Sequence, residues 1–446
     1  MNRILNFLLL AFCLPLFGQT PLTKEEALAI TLEQNFGILM SKNIVEISKN
    51  NSSILNAGYL PNVAVGGGGN FSASDSEIAF PGQFLENGSP RPNRFLNNQE
   101  SKRYNAGVDV NYILFDGRGR RYNYQKLKEQ YALSELQLRE TIEQTIVQLY
   151  TVYFSVAQLT ETKAIFEQVL EVSKVRLQRA ESAFFHGQAN KLAVLNAQVD
   201  VTNDSINLLQ TAQQLDNTKR DLNLLMNQSM DFEFTVDTSV DFIAALQLED
   251  WMASAPANNV ALLKQRKNVE INAYDVKVSQ SGYLPTLGLV GSYGWNLNQS
   301  PPSAFFPGTN NTTYSLVLGA SLSWNIFDGG QTSVRVQNAK IALDNQNLMA
   351  EQVALTFDRD LQNAEQSYHN AQQVYSIQKN QVEIASYNFE RSQAQYGIGA
   401  ITAIEFRQAQ VNLRNAQNQA AVSKYQAKLA EIELIRISGQ LLNAAL

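Results

Sequence analysis

Long apolar runs, cysteine, histidine and basic charge are all scarce in this 446-residue chain. With Lys+Arg 35 against Asp+Glu 41 and a net charge of −6, it lacks the clustered cationic surface that phosphate contacts need, so nucleic acid is excluded as a partner. Cys13, His186 and His369 are the only residues of their types. They leave no material for a zinc site, a Cys–His nucleophile or an imidazole relay, so no metal, no cofactor and no enzyme activity are expected. Past the first residues, no stretch of about 20 apolar residues exists to form a transmembrane helix. Any membrane span must then be a β-barrel.

One short apolar run is present. Asn2-Arg3 precedes Ile4 to Phe17, and Gly18-Gln19-Thr20 follows, the pattern of a secretory signal peptide over residues 1–18. Phe12, before Cys13, is too large for a lipoprotein processing site. Cleavage after Gly18 leaves 446 − 18 = 428 residues without cysteine, which suits an exported protein needing no disulfides.

The chain is an internal repeat. Gly58-Tyr59-Leu60-Pro61 returns as Gly282-Tyr283-Leu284-Pro285, and Asn35 as Asn259, an offset of 285 − 61 = 224. Phe115-Asp116-Gly117 returns as Phe327-Asp328-Gly329, an offset of 327 − 115 = 212; Ala197-Gln198-Val199 returns as Ala409-Gln410-Val411 and Gly187 as Gly399 at the same offset. Two tandem copies are expected, over residues 19–230 and 257–446, with an equatorial segment at 231–256 between them.

Within each copy the hydrophobic period changes in a fixed order. Period-2 alternation predicts strands over 62–74 and 104–115 and again over 286–298 and 314–326, beginning at Pro61 and Pro285 and ending at Phe115-Asp116-Gly117 and Phe327-Asp328-Gly329. Polar loops join them, from Asp75 to Lys102 and from Gln299 to Asn311. One reading is an antiparallel hairpin on a soluble core. The other is a membrane barrel with lipid on one face and water on the other, favoured by the export signal and by Tyr59, Phe115, Tyr283, Trp324 and Phe327 near the strand ends.

Elsewhere the chain reads helical. Beyond Gly119, the stretch to Phe184 has neither proline nor glycine, and Leu138, Ile142, Ile146, Leu149, Tyr153 and Val156 recur every three or four residues. Gln331 to Tyr396 repeats the pattern with Leu361, Ala364, Tyr368, Ala371 and Tyr375. Roughly 65 residues at about 1.5 Å each predict helices near 100 Å, packed in coiled-coil fashion. Their opposite faces are polar but weakly charged, which suits either a water-filled conduit or a solvated coiled coil. Glycine breaks at 184–190 and 396–402, with Asn190 and Thr402 as N-caps, make each long helix the first arm of a helical hairpin.

Four strands cannot close a barrel, so several chains must combine: two would give eight strands, three twelve, four sixteen. At this point the order of motifs, their duplication and their spacing resemble the TolC-like outer membrane efflux protein family across the mature chain. The resemblance implies a mainly α fold with a membrane β-barrel, built from tandem helix–strand–strand–helix units. Long helical hairpins would form a periplasmic tube, and four strands per chain would enter the twelve-stranded barrel of a homotrimer. It further implies outer membrane lipid as surroundings, a periplasmic adaptor and an inner-membrane pump or ABC exporter as partners, and residence in the outer membrane of a Gram-negative bacterium. By matching position, the tips that contact the adaptor are Ile398-Gly399-Ala400-Ile401-Thr402 and, more loosely, Gly187, Gln188 and Asn190 in the first copy. The periplasmic gate maps to Tyr396, Glu405 and Gln408; Ile401 stands where the family has an arginine, Gln408 where it has a second acid, and Ala193 is the first-copy counterpart of Glu405. A ring of Glu405 would attract cations, whereas the bland reading is a solvated helix glutamate.

Other motifs carry less. Gly66-Gly67-Gly68-Gly69 lacks the Lys-Ser/Thr and following helix of a phosphate loop and suits a close-packed or bent strand instead. Asp116 and Asp328 lack further oxygen ligands for calcium and suit a strand-to-helix turn. Arg118, Arg120, Arg121, Lys126 and Lys128 read as a solvated or interface-facing helix start. The expected function is an exit duct that passively conducts substrates handed over by an adaptor and pump. The rival is a periplasmic coiled-coil scaffold without a pore; an exported hydrolase lacks its nucleophile–base set. The transported substrate is not written in the sequence.

Overall fold

The structure is a computed structural model that describes residues 21–303 and 306–444; the leader 1–18 with Cys13 lies outside the described residues. The elements run β1 (Pro21–Leu22), α1 (Lys24–Gln34), α2 (Phe36–Asn51), β2 (Asn62–Ile78), β3 (Arg94–Asp116), α3 (Gly119–Phe185), α4 (Lys191–Leu225) and β4 (Thr235–Val236). Then come α5 (Ala245–Asn258), α6 (Val260–Ser281), β5 (Thr286–Ser300), β6 (Thr309–Ser323), α7 (Gln331–Gly397) and α8 (Ala403–Ile437). The duplication shows in the element bounds. α3 and α7 each have 67 residues, α4 and α8 each 35, and all four bounds move by 331 − 119 = 397 − 185 = 403 − 191 = 437 − 225 = 212.

The chain divides into two compact units. The first holds the residues up to Ile47, Ala132–Lys267 and everything from Leu348. Its core is aromatic: Phe154 of α3 stacks on Tyr150 at 5.9 Å and on Tyr425 of α8 at 5.7 Å, with Tyr153 edge-on. Ile146, Leu149, Tyr153 and Val156 of the stripe read from α3 are buried here, as are Ala364 and Tyr368 of α7. The inter-repeat segment 231–256 contributes Phe234, Val236, Leu248 and Ala255 to the same core. Its β4 pairs in parallel with β1, and the Tyr153 hydroxyl joins the two by donating to the Leu22 carbonyl at 2.8 Å and accepting from Asp237 N–H at 3.1 Å. Beyond β4, the Lys428 ammonium donates to the Asp241 carbonyl and Ile243 N–H donates to the Glu431 carboxylate, both at 2.7 Å. Lys428 and Glu431 are almost fully buried and paired at 2.6 Å, so neither charge is left uncompensated.

The second unit, Ser48–Tyr131 and Asn268–Asn347, carries one antiparallel sheet in the order β2-β3-β5-β6. β2 and β3 run further than alternation predicts. After a bulge at Ser74/Ser76 they stay paired to Ile78↔Arg94, and the joining loop shrinks from the expected 75–102 to 79–93. Phe95 and Leu96 are adjacent there and a polar run follows, so no period-2 signal exists; instead Asp75 accepts from Asn98 N–H at 2.6 Å and Glu77 from Asn93 at 2.6 Å. β6 begins at Thr309 and ends at Ser323, so Trp324 lies beyond it rather than inside a strand reaching 326. Trp324 instead donates its indole N–H to the Tyr283 carbonyl at 3.1 Å.

The repeated Phe-Asp-Gly motif turns strand into helix. Asp116 accepts from Arg120 N–H at 2.8 Å, and Asp328 accepts from the N–H and hydroxyl of Thr332 at 2.9 and 2.6 Å, each satisfying a free donor of the helix start. The basic cluster after β3 is engaged at this corner rather than merely solvated. Arg120 reaches the Gly58 carbonyl at 2.9 Å, Lys126 pairs with Asp275 at 2.6 Å, and Lys128 lies over the Tyr124 ring. The four consecutive glycines sit in unbroken register within β2; a Cβ at Gly67, Gly68 or Gly69 would stand 3.1–3.3 Å from Asn105 or the Tyr104 ring, so close packing and not a bend explains these three, whereas a Cβ at Gly66 would meet nothing within 4 Å.

Candidate functional site

Two places bear on function, one in each unit. In the sheet, register sorts side chains by face. The rows Val63–Val110–Gly291–Leu318 and Val65–Val108–Tyr293–Leu316 lie on one face. The rows Asn70–Arg103–Asn298–Asn311 and Gly68–Asn105–Asn296–Thr313 lie on the other. On β5 the apolar face extends from Leu287 to Leu297, 297 − 287 + 1 = 11 residues, the length of a tilted strand crossing a bilayer core. It is bounded by aromatics at both ends: Phe115 at the helix end, and Tyr104, Trp295 and Tyr314 toward the hairpin loops. One row further polar residues enter the face, with Lys102, Gln299 and Asn310 beside Phe71. Sequence reading marked only the belt at the helix end. Val65 is 81% and Leu318 77% exposed in the single chain, and among the described residues no other strand covers the outer edges of β2 and β6. An apolar band of this size between aromatic belts, with open edges, is a barrel segment awaiting its neighbours.

At the hairpin ends, Asn190 and Thr402 cap α4 and α8 by accepting from Ala193 N–H and Glu405 N–H at 3.0 and 3.2 Å. Glu405 completes a capping box: its carboxylate accepts from the Thr402 N–H at 2.7 Å and hydroxyl at 2.9 Å. Those bonds hold its carboxyl below the usual glutamate range. Glu405 is therefore a cap as well as a gate candidate, and Thr402-Ala403-Ile404-Glu405 was readable as one. Gln408 donates to Asn412 on its own helix. Tyr396 stacks on Phe406 at 4.8 Å, and Arg179 of α3 covers its ring at 5.3 Å while donating to the Gly397 carbonyl at 3.1 Å. An arginine thus reaches the second tip from the first hairpin, although Ile401 replaces the one sequence comparison would place there. Gln188, Asn190, Tyr396, Gly399, Thr402 and Gln408 line one cavity of about 890 Å³, whereas Gly187, Ile398, Ala400, Ile401 and Glu405 do not border it.

Arg176, Asp200 and Arg407 in the wall of this cavity belong to a charge network that sequence reasoning missed. Arg407 binds both oxygens of the buried Asp204 at 2.8 and 2.9 Å and approaches Asp200 at 3.5 Å; Asp200 also pairs with Arg176, and Ser173 donates to Asp204 at 2.6 Å. Burial opposes the charge on Arg407, but the bonds from Asp204 outweigh it and raise its pKa. Burial pushes the Arg176 guanidinium down against the pull of Asp200. The network fastens α8 to α3 and α4.

The family model for outer membrane efflux proteins matches residues 28–228 and 251–440, most of the chain and both copies of the repeat. The chain belongs to this family. It is 21% identical over 336 residues to the outer membrane efflux protein BepC of Brucella suis, covering 75% of this chain and 72% of that one. It is 24% identical over 219 residues to TolC of Escherichia coli, covering 45% and 44%. Its fold matches the CmeC outer membrane channel of Campylobacter jejuni with a TM-score of 0.73 at 16% identity, over 94% of this chain and 86% of that one. The outer membrane is accordingly its location. Among the described residues no helix is long and apolar enough to cross a membrane, and no cluster of His, Cys, Asp and Glu could hold a metal ion.

Proposed function

We propose that this protein is the passive exit duct of a tripartite efflux or type I secretion system, assembled as a homotrimer. One observation carries the reading: an open four-stranded sheet with an apolar band 11 residues deep on one face and a polar, sparsely charged lining on the other. Three copies supply twelve strands, whose apolar faces meet lipid and whose polar faces enclose water. The helical hairpins continue the passage into the periplasm. Tyr396, Glu405 and Gln408 are the gate residues of that end. Phe185, Ile398 and Ile404, 80–84% exposed at the hairpin ends, give the tips at Gly187–Asn190 and Ile398–Thr402 an apolar surface for a periplasmic adaptor, which links the duct to an inner-membrane pump or exporter. No bond chemistry is involved. The native mass of the protein extracted from outer membranes in detergent tests the reading. A detergent-dependent trimer supports it, and a water-soluble monomer or dimer from the periplasm sinks it in favour of a scaffold.

A further inference from the structure

The polar face of the sheet carries few charges, and two of them, both away from the strand ends, lie at different depths. Among the described residues of the paired strands, the ionisable side chains on that face are all on β3: Arg94 and Asp116 at its two ends, the latter bonded to Arg120 at the helix corner, and, within the strand, Arg103 and Asp109 in the rows Asn70–Arg103–Asn298–Asn311 and Ala64–Asp109–Ser292–Val317. Between them lie only the neutral rows through Asn105 and Gly107, the latter reading Gly66–Gly107–Gly294–Ser315. Six residues along a strand separate the two charges by about 20 Å. Asp109 falls in the middle of the apolar band carried by the opposite face, and Arg103 falls at its border on the side of the hairpin loops. A carboxylate at mid-membrane depth, turned away from lipid and flanked by Ala64 and Ser292, has no packing reason to be there.

We propose that Asp109 and Arg103 are the charge-selecting residues of the barrel: Asp109 creates a cation-favouring level at mid-depth, and Arg103 an anion-favouring level at the outer mouth. The inference rests on the barrel reading above. At 0.1 M salt the screening length is about 10 Å, so levels about 20 Å apart act separately, each setting the local concentration of small ions and charged solutes. The row between them, three glycines and Ser315, bears no charge to blur the two potentials. Solute leaving from the helix end meets the carboxylates first and the guanidinium groups second.

Single cysteines read the two levels locally, whatever the state of the helical end. Ser292→Cys stands beside Asp109 on β5, and Asn298→Cys beside Arg103. Each is treated with cationic and anionic methanethiosulfonates of similar size in the membrane-inserted protein. A unit charge about 6 Å away in water shifts each reagent roughly threefold in opposite directions, so Asp109→Asn should lower the cation-to-anion rate ratio at position 292 roughly tenfold. Arg103→Gln should raise the ratio at position 298 by a similar factor. Ratios unchanged within about twofold overturn the proposal, as does failure of both reagents to reach 292. Leu318→Cys, on the opposite face, separates the two failures. Reaction there with both charged reagents sinks the barrel reading itself, whereas silence there with an unchanged ratio at 292 sinks this inference alone.

Discussion

The Asn259 side-chain amide donates to the carbonyl of Ile437 at 2.9 Å, and the Asn35 amide donates to that of Leu225 at 3.0 Å. The donors are 259 − 35 = 224 residues apart and the acceptors 437 − 225 = 212, the two offsets of the internal repeat. Each asparagine also starts a helix, Asn35 by accepting from Gly37 N–H and Asn259 from Leu262 N–H. One side chain thus begins the helix leading toward the sheet and satisfies a free carbonyl at the end of the returning hairpin. Asn259→Ala, which orphans a buried acceptor and removes a cap, should cost about 1–3 kcal/mol, and Asn35→Ala a similar amount. Thermal unfolding of the detergent-solubilised protein followed by circular dichroism measures both; unchanged melting of either variant refutes the role.

The buried charge network makes a sharper prediction. Asp204→Ala removes the bidentate partner of Arg407 and the acceptor of Ser173, leaving a half-buried guanidinium with the longer contact to Asp200 and neutral acceptors on Gln410 and Ser173. Breaking such a pair costs about 3–5 kcal/mol, more than deleting an exposed pair such as Lys163–Glu167. Limited proteolysis should show earlier cleavage near the hairpin tips in Asp204→Ala and none in Lys163→Ala. Equal resistance of the two variants would show that the network does not hold α8 in place.

Much of this fold was legible, and the reason is periodicity. Strand alternation and helical stripes depend on near neighbours, so the four strands, the long hairpins and the lipid-like face of Val108, Val110, Leu316 and Leu318 follow from spacing. The extension of β3 back to Arg94 was invisible because the adjacent Phe95 and Leu96 followed by a polar run show no alternation, and backbone pairing leaves no mark on composition. Arg179 reaching Tyr396, and Arg407 reaching Asp204, join residues about 200 positions apart, which no local pattern encodes. Glu405 differs: its capping box with Thr402 was written in four consecutive residues.

The Tyr153 hydroxyl gives the first unit an alkaline limit. Burial pushes its pKa up to about 12 from 10, so the folded state favours the neutral phenol. A raised folded value contributes stability below about pH 10 that is lost as pH rises toward about 12. Helicity of the solubilised protein should therefore become heat-sensitive across that window. Tyr153→Phe should be less stable at neutral pH, having lost the bonds to Leu22 and Asp237, yet show a shallower decline from pH 10 to 12. A parallel decline would assign the alkaline sensitivity elsewhere.

The two Phe-Asp-Gly corners share a motif but should not share a tolerance for side chains. Gly117 and Gly329 both adopt left-handed backbone, with φ of +67° and +70°, so an alanine at either carries the same intrinsic strain of about 1 kcal/mol. A Cβ at Gly117 would lie 2.5 Å from the Ser281 carbonyl oxygen and 2.8 Å from Leu284 Cβ, whereas at Gly329 it meets nothing within 4 Å. The backbone carbonyl cannot swing aside as a flexible side chain would, so Gly117→Ala must shift the start of α3 against the end of α6. Membrane insertion assayed by heat-modifiable mobility of the assembled protein should be strongly reduced for Gly117→Ala and nearly normal for Gly329→Ala. Equal behaviour of the two would mean that the first corner relaxes freely, and that its close packing plays no part in fixing where β3 becomes helix.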